Sequence, residues 1–132
     1  MNMYEERLNY WLKKHTGVIL KDLDSFDSFP FALKYKILKE FVEWACQPQN
    51  IDAIELGRKR VTSLDKKWLK DHLIDVAKDT LDLSDEWEYR RFVELVMAAI
   101  PDLKDKVVEM GMLSDNEDIR EAADDYNNME SL

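Results

Sequence analysis

The residues that break regular structure are scarce in this chain, with three glycines and three prolines among 132 residues. So few breakers disfavour a β protein with many tight turns and leave room for long helices. Three scattered glycines also cannot build a phosphate-cradling loop. Cysteine is reduced to Cys46, which has no internal partner and points to a reducing compartment. The two histidines, His15 and His72, are far apart, and neither stands in a metal-ligand spacing such as two His four apart with a Glu between. No apolar run approaches the ~20 residues that cross a bilayer. The opening MNMYEERLNYWLKK, with its early Glu5 and Glu6 and no apolar core stretch, is wrong for a secretory leader. The expected address is the cytoplasm.

Positive charge is also short. Nineteen Lys and Arg face 28 Asp and Glu, for a net charge of −9. The deficit grows along the chain: residues 1–49 balance, whereas from 115 to 132 seven acidic side chains face only Arg120. Nucleic acid and anionic membranes both require a cationic surface, so neither is an expected partner. A basic protein is the charged partner that this pattern favours. The alternative is that the acidic end only keeps the chain soluble. The charge pattern sets no oligomeric state.

What is present is core material. With 45% hydrophobic residues and four Trp, one domain spanning 1–132 can bury a core without disulfides or metals. Apolar spacing predicts about seven helices. The first, over roughly 2–15, aligns Leu8, Trp11, Leu12 and His15 on one face and ends near Gly17. Leu20 to Phe29 reads as a loop pinned by Leu23, Phe26 and Phe29. A second helix from Pro30 to Ala45, with Ser28 as a nearby cap, carries Ile37, Leu38, Phe41, Val42 and Ala45, widened by Tyr35 and Trp44. Asn50 caps a third with Ile51, Ile54 and Val61, where Gly57 suggests close helix contact or a small bend. Ser63 is expected to cap a fourth bearing Trp68 to Leu81, and Ser84 a fifth bearing Tyr89 to Ile100. Pro101 opens a sixth with Leu103, Val107, Met110 and Leu113. Ser114-Asp115-Asn116-Glu117 reads as a capping box for a seventh with Ile119, Ala122, Ala123 and Tyr126.

Glu-x-x-Arg recurs three times, as Glu55–Arg58, Glu88–Arg91 and Glu117–Arg120, starting 33 and then 29 residues apart. That interval suits a helix pair stacked as a repeat. The expected organisation is a capping helix and loop over 1–29, three antiparallel hairpins over 30–127, and a tail over 128–132. The repeated pairs read as an inter-repeat ladder, or else as polar groups lining a concave binding face. The last hairpin, from Leu103 through Ser114-Asp115-Asn116 to Asp118-Ile119-Arg120-Glu121-Ala122-Ala123, resembles the HEAT repeat family, in which an acidic turn precedes an apolar residue, an Arg and a nearby Ala. Gly57-Arg58 and Arg90-Arg91 keep the Arg and lose the paired Ala. The resemblance implies an all-α, solenoid-like fold. In size, acidity and helical repeats the chain is similar in type to bacterial polymorphic-toxin immunity proteins with HEAT-like folds.

Catalysis finds little footing. His15 completes an apolar stripe and reads as a packed residue, His72 as a surface one. Cys46 ends a helix, where the negative pole opposes a thiolate. Asp115 to Asp118 lacks the Gly and closing Glu of a calcium loop. No catalytic residue, metal ligand or cofactor is assigned, and an enzyme is not expected. The candidates are partner-binding: Asp85, Glu86, Trp87 and Glu88 at the start of the fifth helix, and Glu117, Asp118, Glu121, Asp124 and Asp125 on the seventh. Trp87 reads either as folded onto the preceding turn, the preferred reading, or as a half-exposed anchor for a cationic partner. These residues suit a protein-binding inhibitor that neutralises a basic toxin or effector through an acidic face. An adaptor gripping a peptide or partner helix in its concave face is the alternative, and a carboxylate-metal enzyme a more distant one.

Overall fold

In the computed structural model, which describes residues 1–129, the chain is all helical. Its α-helices are α1 (Met3–Thr16), α2 (Phe31–Ala45), α3 (Ile51–Thr62), α4 (Lys66–Thr80), α5 (Glu86–Ala99), α6 (Lys104–Met112) and α7 (Glu117–Asn127). Of the expected tail, residues 130–132 lie outside the described residues. No described helix is long and apolar enough to cross a membrane.

The helix ends show how side-chain oxygens divide the work. Asn2 accepts from Glu5 N at 2.9 Å to start α1, and Gly17, at φ 75°, closes it in the left-handed region that glycine adopts freely. Asn50 accepts from Ala53 N and starts α3 as expected. The three expected serine caps are corrected. Asp65, Asp85 and Asn116 cap α4, α5 and α7, because each serine is engaged elsewhere. The Ser63 hydroxyl donates to Arg60 O and finishes α3, Ser84 donates to Asp82, and Ser114 Oγ accepts from Asn116 N at 3.1 Å. Glu117 is therefore the first residue of α7, and no reciprocal capping box forms. Ser28 caps nothing, since α2 begins after Pro30 without a side-chain cap.

The expected loop before α2 is a 3₁₀ helix, Leu20–Ser28. It is tied to α1 by Leu20 N donating to Asn9 Oδ1 at 2.7 Å, with Leu20 and Phe26 buried and Leu23 and Phe29 against the core. Pro101 opens a shorter 3₁₀ turn, Pro101–Leu103, leading into α6.

One buried cluster runs from Leu8 and Leu12 of α1, through Phe41, Leu73 and Phe92, to Ile119 and Tyr126 of α7. The closest backbone pairings are α2 with α3 and α6 with α7, whereas α4 turns chiefly to α2, so the hairpin expected of the fourth and fifth helices does not form as a packed pair. Gly57 permits the first of these: a methyl there would lie 2.8 Å from Ala45 Cα and 2.9 Å from Phe41 O. Gly111 does the same for α6, where the Tyr89 phenol and Ala123 Cβ fill the space a side chain would take. α3, α5 and α7 lie side by side. Arg91 donates to Pro48 O, and the Asn116 amide to Ser84 O at 3.1 Å, so the three start at the same end and run parallel. α1 covers α2 and α3.

Some residues expected inside lie outside. Ile51 and Leu113 are exposed, Leu113 at 76%. Trp11 and Trp44 are half-buried at the edge of the core rather than within it. His15 is exposed and stacks on Trp11 with ring centroids 4.7 Å apart, so the packed reading fails. His72, expected at the surface, is half-buried against Phe31 and Trp68.

Candidate functional site

The repeated Glu and Arg do not pair within their own motifs. Arg58 of α3 reaches across to Glu94 of α5, and Arg91 Nη1 meets the same carboxylate at 3.0 Å. The Tyr126 hydroxyl of α7 donates to the other Glu94 oxygen at 2.6 Å. Arg120 instead donates to Ser114 O at 2.8 Å, bracing the turn before its own helix. A cross-helix ladder exists, but its anion is Glu94. Burial opposes ionisation of Glu94, and hydrogen bonds from Tyr126, Arg91 and Arg58 overcome it, holding its carboxyl below the usual glutamate range.

A second rung lies beside the first. Arg90 Nε pairs with Glu86 at 2.9 Å on its own helix, and its Nη2 with Asp125 of α7 at 3.0 Å. The Arg90 guanidinium also stands 6.0 Å from the Trp87 ring centre and 5.9 Å from that of Tyr126, while Arg91 stands 5.9 Å from Trp87. Trp87 is 53% exposed. It is therefore not folded onto the preceding turn: its ring spreads over two arginines that already hold carboxylate partners, and the rest faces solvent.

Around this centre the nine predicted partner-binding residues take different roles. Asp85 is the cap of α5, accepting from Glu88 N at 3.0 Å. Glu88 is half-buried and turns back to accept from Asp82 N at 3.4 Å, and burial raises its carboxyl. Glu86 and Asp125 are held by Arg90. Among the described residues Glu117, Asp118, Glu121 and Asp124 are exposed and pair with no cation. At about 100° per residue, Glu117, Asp118, Glu121, Asp124 and Asp125 fall within about 120° of α7. The opposite side carries Ile119, Ala122, Ala123 and Tyr126, all buried. Arg90 and the Asn116–Ser84 hydrogen bond place this stripe beside the start of α5 and Trp87.

Elsewhere the chemistry is quiet. Among the described residues no group of three His, Cys, Asp or Glu side chains is placed to hold a metal. Burial pushes the Cys46 thiol up, with the nearby Arg58 acting the other way. Two buried polar groups escaped the apolar pattern. Lys104 is tucked in to donate to Met129 O. Glu40, only 7% exposed, has its carboxyl pushed up to about 7, first by burial and then by Glu43 beside it. Glu40 sits between the stripe residues Ile37 and Phe41 and four before Trp44, a position that in retrospect marks the rim of the buried face. Comparison with protein-family models, with curated proteins and with solved structures finds no match.

Proposed function

We propose that this chain is a protein-binding inhibitor of the immunity type, neutralising a basic toxin or effector by laying the carboxylates of α7 and the Trp87 region over its cationic surface. In this reading the parallel row α3, α5, α7 is the second-helix layer of a HEAT-like solenoid with α1 as its cap.

The observation that carries the proposal is the single-sided stripe on α7. Glu117 and Glu121, and Glu121 and Asp125, are like charges four apart, which weakens a helix. Acidic residues in the first turn favour the helix dipole, but Asp124 and Asp125 near the far end oppose it. Of the five, only Asp125 meets a cation. Past the first turn, Glu121 and Asp124 do not serve the stability of α7, and the stripe borders an exposed Trp, the residue type most enriched among interface anchors. Carboxylates in such an array attract a basic surface over several ångströms and speed its encounter.

The test is capture of partners from cells at low and high salt, followed by co-expression of the recovered basic protein with this chain. Protection should be lost with Glu117→Gln, Glu121→Gln and Asp124→Asn combined, a set that leaves the Arg90 rung intact. A partner that is neutral and held through high salt, or full protection by the triple variant, would overturn the reading.

A further inference from the structure

At the other end of the helix row, the core stripe of α1 and α2 opens into a cleft of about 430 Å³. Its walls are mostly apolar and aromatic, formed by Met3, Tyr10, Trp11 and Trp44 together with the charged Glu6, Arg7 and Glu40, with Tyr10 69% exposed at the rim. The rings are braced from behind: Trp44 meets Tyr4 edge-on with centroids 6.5 Å apart, and Trp11 stacks on His15. A second cleft of about 320 Å³ shares Trp11 and Glu40 with the first and continues toward Asp79 of α4. Glu40 thus borders both openings.

Among the described residues no cation pairs with Glu40. Arg7, also at the cleft, stands over the Tyr4 ring at 5.7 Å. Lys36 donates to His15 O at 2.8 Å. A carboxylate so deeply covered, with Glu43 as its neighbour, is disfavoured as an anion until a cation meets it.

We propose that this cleft binds a lysine side chain presented by a protein partner, its alkyl stem lying along Trp11 and Trp44 and its ammonium seated between the ring faces and the Glu40 carboxylate. The ring faces attract cations, and a four-carbon stem matches an apolar wall that ends in one charge. A guanidinium suits a fully presented carboxylate that can accept two parallel bonds, and Glu40 is too covered for that. An apolar side chain would close over Glu40 and leave it only the hydrogen bonds of Trp44 and Glu43, with no cation beside the carboxylate. The site lies on α1 and α2 and does not rest on the reading of α7.

The probe is the blocked peptide Gly-Ala-Lys-Ala-Gly, with norleucine in place of lysine as its uncharged isostere. The readout is the indole N–H resonances of the full chain, assigned with Trp11→Phe and Trp44→Phe. The lysine peptide should shift Trp11 and Trp44 saturably and leave Trp68 and Trp87 in place, and the norleucine peptide should bind about tenfold more weakly. Glu40→Gln should cost about tenfold in affinity and Glu43→Gln much less. Binding should fade as pH drops through about 7, where Glu40 takes up its proton. The titratable and charged groups that line the two clefts with Glu40 are Glu6, Arg7 and Tyr10 from α1, Lys36, Lys39 and Glu43 from α2, and Asp79 from α4. Equal binding of both peptides, unchanged affinity of a folded Glu40→Gln protein, or no indole shift would each overturn the proposal. The norleucine comparison decides the matter without any variant.

Discussion

Glu94 and Glu40 are both half a turn or less from the apolar stripe of their helices, yet their surroundings push them in opposite directions. Glu94 collects two guanidinium groups and a phenol, so its removal strands several polar groups at once. Arg58 Nε and Arg91 Nε already lack partners, and Glu94→Gln should cost about 2 kcal/mol in urea unfolding. Because the folded carboxyl titrates below its unfolded value, that contribution is present above pH about 4.3 and is lost as pH falls further, through the folded value. Glu40 behaves in reverse. Its folded value of about 7 lies above the unfolded one, so the folded chain loses stability as pH rises from about 4.5 to about 7. Glu40→Gln should therefore stabilise the protein by about 1–3 kcal/mol at pH 8 and by little at pH 4, as read from paired urea titrations. Neither role was legible in the sequence. Periodicity tells which face of a helix a residue occupies, but the groups it meets come from helices tens of residues away, as Arg58, Arg91 and Tyr126 do at Glu94.

Element by element, the helix pattern was readable because each stripe is long and only a few glycines and prolines interrupt the chain. Each of the seven predicted helices is present, and Asn50, Gly17 and Pro101 stand at the ends where they were expected. The starts of α4, α5 and α7 were misplaced by one or two residues because serine and a nearby Asp or Asn compete for the same role. Asp65→Ala should cost about 1 kcal/mol of stability and Ser63→Ala less than about 0.5 kcal/mol, a contrast that thermal unfolding resolves. Gly57 was legible as a close-contact position, and its partner, the backbone of α2 around Ala45, was not. Gly57→Ala gains about 1 kcal/mol of helix propensity, but the methyl meets backbone atoms that have no rotamer to yield. A net destabilisation of about 2 kcal/mol is expected in urea unfolding, with α2 and α3 pushed apart.

For the molecule as a whole, charge and packing are segregated: the polar ladder between α3, α5 and α7 is balanced, and the surplus of negative charge stands outside it on α7. The acidic bias of the last eighteen residues was visible in the sequence. Its gathering onto one side of one helix followed from the spacing once α7 had a defined buried face, and the closeness of Trp87 followed only from Arg90 reaching Asp125. Neutralising Glu121 and Asp124, which lie past the first turn of α7, should raise stability by about 0.5 kcal/mol at low ionic strength, with the gain shrinking as salt is added. Calorimetry at two salt concentrations reads it. The lone thiol supplies a different handle on the same molecule. Cys46 is 1% exposed at the join of α2 with α3, and its burial holds it as the unreactive thiol. A disulfide reagent can reach it only when that join parts, so the rate of colour formation at rising reagent concentration is a clock for opening. Mounted on the unaltered chain, that clock will tell whether a bound partner on α7 slows the breathing of helices at the far end of the row.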